Sequence, residues 1–162
     1  MRTRAARCGS GCLGAGSLIE TVDGPLAIAS LGGKSMPVLT RLPDGRVGFR
    51  LMTKIARTGS GVAVLRVSFD NGQSVVVDRG HVFYAPGMVE RPAASLAAGD
   101  LLDTSFHFPA GYMFRHTDGT TETSAGAVRV AAVEDAGTAD VFGGLVNETH
   151  CYFLTAGILC KE

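Results

Sequence analysis

Glycine recurs so often along this chain that a long helix has no room to form. Of 162 residues, 22 are glycine, and Pro43-Asp44-Gly45, Asp70-Asn71-Gly72 and Asp118-Gly119 add turn signals. No window of twelve or more residues carries a sustained helical period with caps at its ends. The expected fold class is therefore all-β, built of short strands with at most one or two short helices. Apolar residues make up 46% of the chain, which at this length supplies one domain with a real core.

Strand patterns punctuate the chain from Ser17 onward. Val47, Phe49, Leu51, Thr53 and Ile55 alternate with Gly48, Arg50, Met52, Lys54 and Ala56, the period-two pattern of a half-buried strand. Val62 to Phe69 and Gln73 to Val77 flank Asp70-Asn71-Gly72, a hairpin signal because both Asn and Gly accept positive φ. Pro92 to Asp100 suggests one or two helical turns ended by Gly99, and His107 to Thr123 reads as a long excursion around Asp118-Gly119. Val128 to Val133, Val141 to Val146 and Cys151 to Cys160 are the expected closing strands.

Fifteen basic and fifteen acidic residues cancel, which removes any general electrostatic drive toward nucleic acid or an anionic membrane. Arg2, Arg4 and Arg7 form the one local excess, expected to be a solvated arm. With no 18-residue apolar run and no apolar signal region at the start, the expectation is a cytoplasmic monomer with no membrane and no nucleic-acid partner. Four cysteines are too few for a disulfide scaffold, so each is judged by its surroundings.

Cys12 stands where residues 1–11, a polar and basic leader, meet the first ordered segment. A thiolate there reaches its own upstream carbonyl, on Gly11, through a five-membered ring, and the product is a thioester. The plain alternative is a small buried apolar group at a strand start. His81 follows the apolar run Val75-Val76-Val77, where an imidazole titrating near neutrality suits proton donation to a leaving amine, with Asp78 three residues earlier to orient the ring. Its plain alternative is a half-buried histidine bonded to backbone. Cys151, Tyr152 and Phe153 read as core and strand packing.

Taken in order, these elements resemble the Hint superfamily, the autoprocessing domains of inteins, bacterial intein-like proteins and the hedgehog C-terminal region. Cys12-Leu13-Gly14-Ala15-Gly16-Ser17-Leu18-Ile19-Glu20-Thr21, followed by Asp23-Gly24-Pro25, is similar to that family's first block. Asp78-Arg79-Gly80-His81 stands where the family has Thr-x-x-His, so His81 matches and Asp78 replaces the threonine. Leu96 to Asp100 resembles the Gly-Asp turn after that block. Val141-Phe142 through Thr149-His150-Cys151-Tyr152-Phe153 and Gly157-Ile158-Leu159 resemble the last two blocks.

The resemblance implies a compact, horseshoe-like β fold over residues 12–162, with residues 1–11 as an N-terminal flank. It implies an N-to-S acyl shift at Gly11-Cys12, with Cys12 as nucleophile, His81 as proton donor, Asp78 as its support and His150 assisting from a facing strand. The substrate is the chain's own flank, the acyl acceptor is water, a thiol or an amine, and no cofactor is needed. Two departures bear on the outcome. Lys161-Glu162 replaces the His-Asn ending of splicing members, and a glutamate carboxylate lacks the amide nitrogen that lets asparagine cyclise. Gly143 stands where an aspartate is usual, with Asp140 nearby.

Three further readings stand beside this one. A Cys8–Cys12 disulfide would mask the nucleophile until reduced. Cys8 and Cys12, with Cys160 and either His81 or His150, have the residue types of a small zinc site. The domain could equally be an inactive Hint-like structural or binding module.

Overall fold

The computed structural model describes residues 12–105, 111–123 and 126–162. Among them the chain forms β1 (Leu13–Gly14), β2 (Leu18–Thr21), β3 (Gly24–Ala27), β4 (Met36–Arg41), β5 (Val47–Phe69), β6 (Ser74–Asp78) and β7 (Val82–Ala85). Then come β8 (Val89–Pro92), β9 (Leu101–Leu102), β10 (Met113–Arg115), β11 (Thr121–Thr123), β12 (Val128–Val146), β13 (Cys151–Phe153) and β14 (Leu159–Lys161). The only helical pieces described are 3-10 turns at Ile28–Leu31 and Ala93–Ser95. The all-β expectation holds. Where Pro92 to Asp100 suggested one or two helical turns, the chain makes the single 3-10 turn and then bends at Gly99, whose φ is +93°.

Eight strands form one sheet in the order β3-β2-β4-β5-β6-β1-β12-β9, and β5 also pairs directly with β12. A second sheet has the order β13-β14-β7-β8, and β10 with β11 makes a separate hairpin around Asp118-Gly119. The two very long strands decide the shape. β5 and β12 run antiparallel along most of their lengths, with five register shifts between Val130 and Leu145 that bend them together. Segments that looked like separate strands in the sequence are therefore joined: Val47–Ile55 with Val62–Phe69, and Val128–Val133 with Val141–Val146.

The alternation at the start of β5 is offset from its simple reading. Phe49 and Leu51 face solvent, while Met52 and Ile55 are both buried. Lys54 lies between those two with φ +53°, and this left-handed residue changes the phase of the pleat by one position. The Asp70-Asn71-Gly72 hairpin forms as expected. Gly72 takes φ +80°, Phe69 N donates to Gln73 O at 2.9 Å, and Asn71 Nδ2 reaches Ala156 O at 2.8 Å in the β13–β14 turn. Cys151 to Cys160 splits into that hairpin, turned at Gly157 with φ +84°.

The main core lies between the sheets. Leu13, Val67, Phe69, Val75 and Val77 meet Phe83, Tyr152 and Ile158 there. Among the described residues no helix is long and apolar enough to cross a membrane.

Candidate active site

β1 is only two residues long, yet it is wedged between two strands. Leu13 pairs with Val77 of β6 on one side and Phe142 of β12 on the other. Leu13 itself points into the core and is fully buried. Side chains alternate along a strand, so Cys12 and Gly14 lie on the opposite face. There Cys12 is buried in a small cluster with Val64 and Val141, against which Val62, Val76, Ala136 and Ala139 pack. Gly14 is required by close approach: a Cβ at this position would come 3.1 Å from Val76 Cγ1 and 3.3 Å from Val76 O.

The sulfur has a polar neighbour that sequence reasoning missed. Thr58 Oγ1 lies 3.2 Å from Cys12 Sγ and 3.3 Å from Val141 O, to which it donates. Thr58 belongs to no motif, and only the bend of β5 brings it here. Cys12 is disulfide-bonded, whereas Cys151 and Cys160 are free and buried. Cys8, Gly11 and the rest of the leader lie outside the described residues.

The backbone carries the link from Cys12 to His81. Asp78 N donates to Cys12 O at 3.1 Å, and His81 N donates to Asp78 O at 3.0 Å. Asp78 thus sits between them, but not in the role expected of it. Its carboxylate accepts from Gly80 N at 2.6 Å and caps the turn into β7. It does not orient the imidazole, because both ring nitrogens of His81 are buried without a hydrogen-bond partner. The reason is local: a carboxylate folded back on Gly80 N satisfies an exposed turn amide, while the ring turns inward to Phe83, edge to face at 4.7 Å between centroids. Burial away from water pushes the pKa of His81 from 6.5 down to about 3, so the ring is neutral at pH 7.

His150 is placed elsewhere. It occupies the turn from β12 into β13 with φ +53°, exposes 68% of its side chain, and holds Glu162 through Nδ1···Oε1 at 2.6 Å. The other Glu162 oxygen accepts from Val146 N, and Glu162 N donates to His150 O at 3.1 Å. Glu162 is therefore clasped to the end of β12. Asp140, beside Gly143, accepts from Ser60 Oγ at 2.9 Å and pairs with Arg57 at 3.5 Å on the exposed edge.

The zinc grouping is not assembled among the described residues, where no three His, Cys, Asp or Glu side chains converge as a metal site. Cys160 instead donates to Tyr152 O at 3.5 Å in the core, and burial raises its pKa, which disfavours the thiolate a metal needs. Cys151 packs with Thr40, Oγ1 to Sγ 3.4 Å, in the small cluster of Tyr84, Phe153 and Leu159.

This architecture is the Hint fold, the fold of inteins. The chain superposes on the Ssp DnaB mini-intein variant M86 with a TM-score of 0.73 at 12% identity, over 95% of this chain and 96% of that one. A bacterial intein-like domain from Clostridium thermocellum gives 0.70 at 18% identity, over 95% and 100% of the two chains. The gp41-1 intein gives 0.67 at 14% identity, over 95% and 100%. No protein-family model matches the sequence, and no curated protein matches it either.

Proposed function

We propose that residues 12–162 form a self-processing domain that cleaves its own N-terminal flank, residues 1–11, by an N-to-S acyl shift at Gly11-Cys12. The observation that carries this reading is the placement of Cys12. It opens a strand wedged between β6 and β12, with a hydroxyl at its sulfur and a backbone path of two hydrogen bonds to a buried histidine.

In the reaction the Cys12 sulfur attacks the Gly11 carbonyl carbon, the C–N bond breaks, and the nitrogen leaves as the free amine of Cys12. Thr58 Oγ1 is within reach to donate to the sulfur as its charge develops. The thiol proton ends on the departing nitrogen, and we assign His81, linked to Cys12 through two backbone hydrogen bonds, as the group that delivers it. Amide resonance makes the shift uphill, so a nucleophilic acceptor must draw it forward by resolving the thioester. Water, a thiol or an amine serves.

Splicing through the C-terminal end does not belong to this reading. Glu162 has no amide nitrogen, and both its carboxylate oxygens are engaged, by His150 Nδ1 and Val146 N. His150 then holds Glu162 in place. We also assign Cys8 as the partner that masks Cys12 by a disulfide until a reductant frees the thiol.

The test is intact mass over time for the chain with a bulky tag ahead of Met1, with and without reductant, beside Cys12→Ala. Loss of mass at Gly11–Cys12 in reductant, absent in Cys12→Ala, is the expected result. Full-length mass persisting in reductant would leave a Hint-fold module without processing activity.

A further inference from the structure

A groove of about 420 Å³ opens on the outer face of the large sheet beside β1, lined by the Gly14–Leu18 turn, the β6 start and the β13–β14 turn. We propose that it binds the acyl acceptor, and that the acceptor is a small thiol or amine carrying a carboxylate. This rests on the processing reading above and deepens it.

Three observations carry the proposal. The first is position: Val76 and Ala139 line the groove and also pack in the cluster that buries Cys12. One wall is thus shared by groove and nucleophile, and the absent side chain at Gly14 keeps that wall low. The second is charge. Arg66 is the single charged residue among the lining residues described, and its guanidinium makes no ion pair or hydrogen bond there, although Glu134 is its register partner across β12. An uncommitted guanidinium in a concave site with apolar walls selects a planar anion. The third is an unmet polar group. Thr155 also lines the groove, its Oγ1 is buried without a partner, and turning its side chain toward a bound carboxylate or amine would supply one. The basic leader of this chain is the wrong charge for such a site.

In the step itself the acceptor's sulfur or nitrogen attacks the thioester carbonyl. The new C–S or C–N bond forms, the bond to Cys12 Sγ breaks with its electron pair returning to that sulfur, and Cys12 takes the proton that the acceptor gives up. No oxidant or reductant enters.

The experiment uses the full chain, reduced by a neutral phosphine, with 3-mercaptopropionate, 2-mercaptoethanol and cysteamine compared at matched thiolate concentration. Wild type is expected to cleave about fivefold faster with the anionic thiol than with cysteamine, the size of one partly exposed ion pair. Arg66→Gln should remove that preference, and Arg66→Lys should keep most of it. Separately, titration with butyrate, which cannot react, should give saturable amide shifts at Gly14 to Leu18 and Thr155 in wild type and none in Arg66→Gln. Equal rates with the three thiols, or an absence of saturable shifts, would overturn the proposal. Saturable shifts in a chain that never cleaves would remove the acceptor role and the processing reading together, whereas normal cleavage without shifts would remove the groove alone.

Discussion

A neutral imidazole sealed in an apolar core makes the stability of the fold depend on pH. His81 has a folded pKa of about 3 against 6.5 for the free side chain, because burial penalises the charged ring. Between those values the unfolded chain binds a proton that the folded chain refuses. His81's contribution is thus whole above about pH 6.5 and shrinks as pH falls toward 3, with a slope of up to about 1.4 kcal/mol per pH unit. Asp44, Asp100 and Asp118 have carboxyl pKa values lowered from 3.8, each by hydrogen bonds, so their losses lie at lower pH still. Urea midpoints of wild type should therefore drop from pH 7 to pH 4.5, and those of His81→Leu should drop less. Equal slopes would mean that the ring finds a partner or water. At this scale the sequence was partly legible. Residue type and order singled out Cys12 and His81, but the Asp78 carboxylate does not orient the imidazole, since a carboxylate that can bond its own turn at Gly80 N does so before it reaches a ring facing the core. Thr58 carries no sequence signal at all.

At the scale of elements, the bends in β5 and β12 bring Thr58 and Val141 against Cys12. Gly144 stands at one of these bends, where a Cβ would meet Met52 Cγ at 3.0 Å, Ile55 Cγ1 at 3.1 Å and Thr53 O at 3.1 Å. A carbonyl of the paired strand cannot move aside as a side-chain end can. Gly144→Ala should therefore cost about 1–3 kcal/mol, the range for overpacking, read as a shift of the urea midpoint with unchanged m. Gly16→Ala, where a Cβ meets nothing within 4 Å, is the control and should unfold like wild type. The hairpin at Gly72 was legible because Asn71-Gly72 accepts positive φ, whereas the β10–β11 hairpin around Gly119 read in sequence as a long excursion. The length of β5 was not. A bulged strand reads as two strands, because each phase change breaks the alternation that marks a strand in sequence.

The whole molecule is held where its two sheets meet, and Arg41 is central to that junction. From β4 of the large sheet its guanidinium forms two bonds to Asp103, of 2.7 and 2.8 Å, and lies 5.5 Å from the Phe153 ring of the second sheet. Asp103 in turn takes its backbone bonds from that second sheet: its N–H donates to Tyr84 O at 2.7 Å, and its carbonyl accepts from Leu159 N at 3.2 Å. Both charged side chains are largely withdrawn from water, at 16% and 15% exposure. Arg41→Ala should destabilise by about 3–5 kcal/mol because it strands the Asp103 carboxylate, while Asp103→Asn, which keeps an acceptor and removes the charge, should cost less. Chemical unfolding of the two variants checks the order.

What the sequence alone determined is local: an all-β chain, its tight turns, and the order of a cysteine, a histidine and a closing hairpin. Turn chemistry and residue type act over a few positions, and such signals survive without knowledge of the fold. The tertiary structure alone decided what lies against the Cys12 sulfur, that His150 is spent on Glu162, and that a groove with an unpaired guanidinium shares a wall with the cluster around Cys12. The Cys12–Thr58 contact joins residues 46 positions apart, and it exists because two long strands bend at bulges whose positions emerge only when the strands pair.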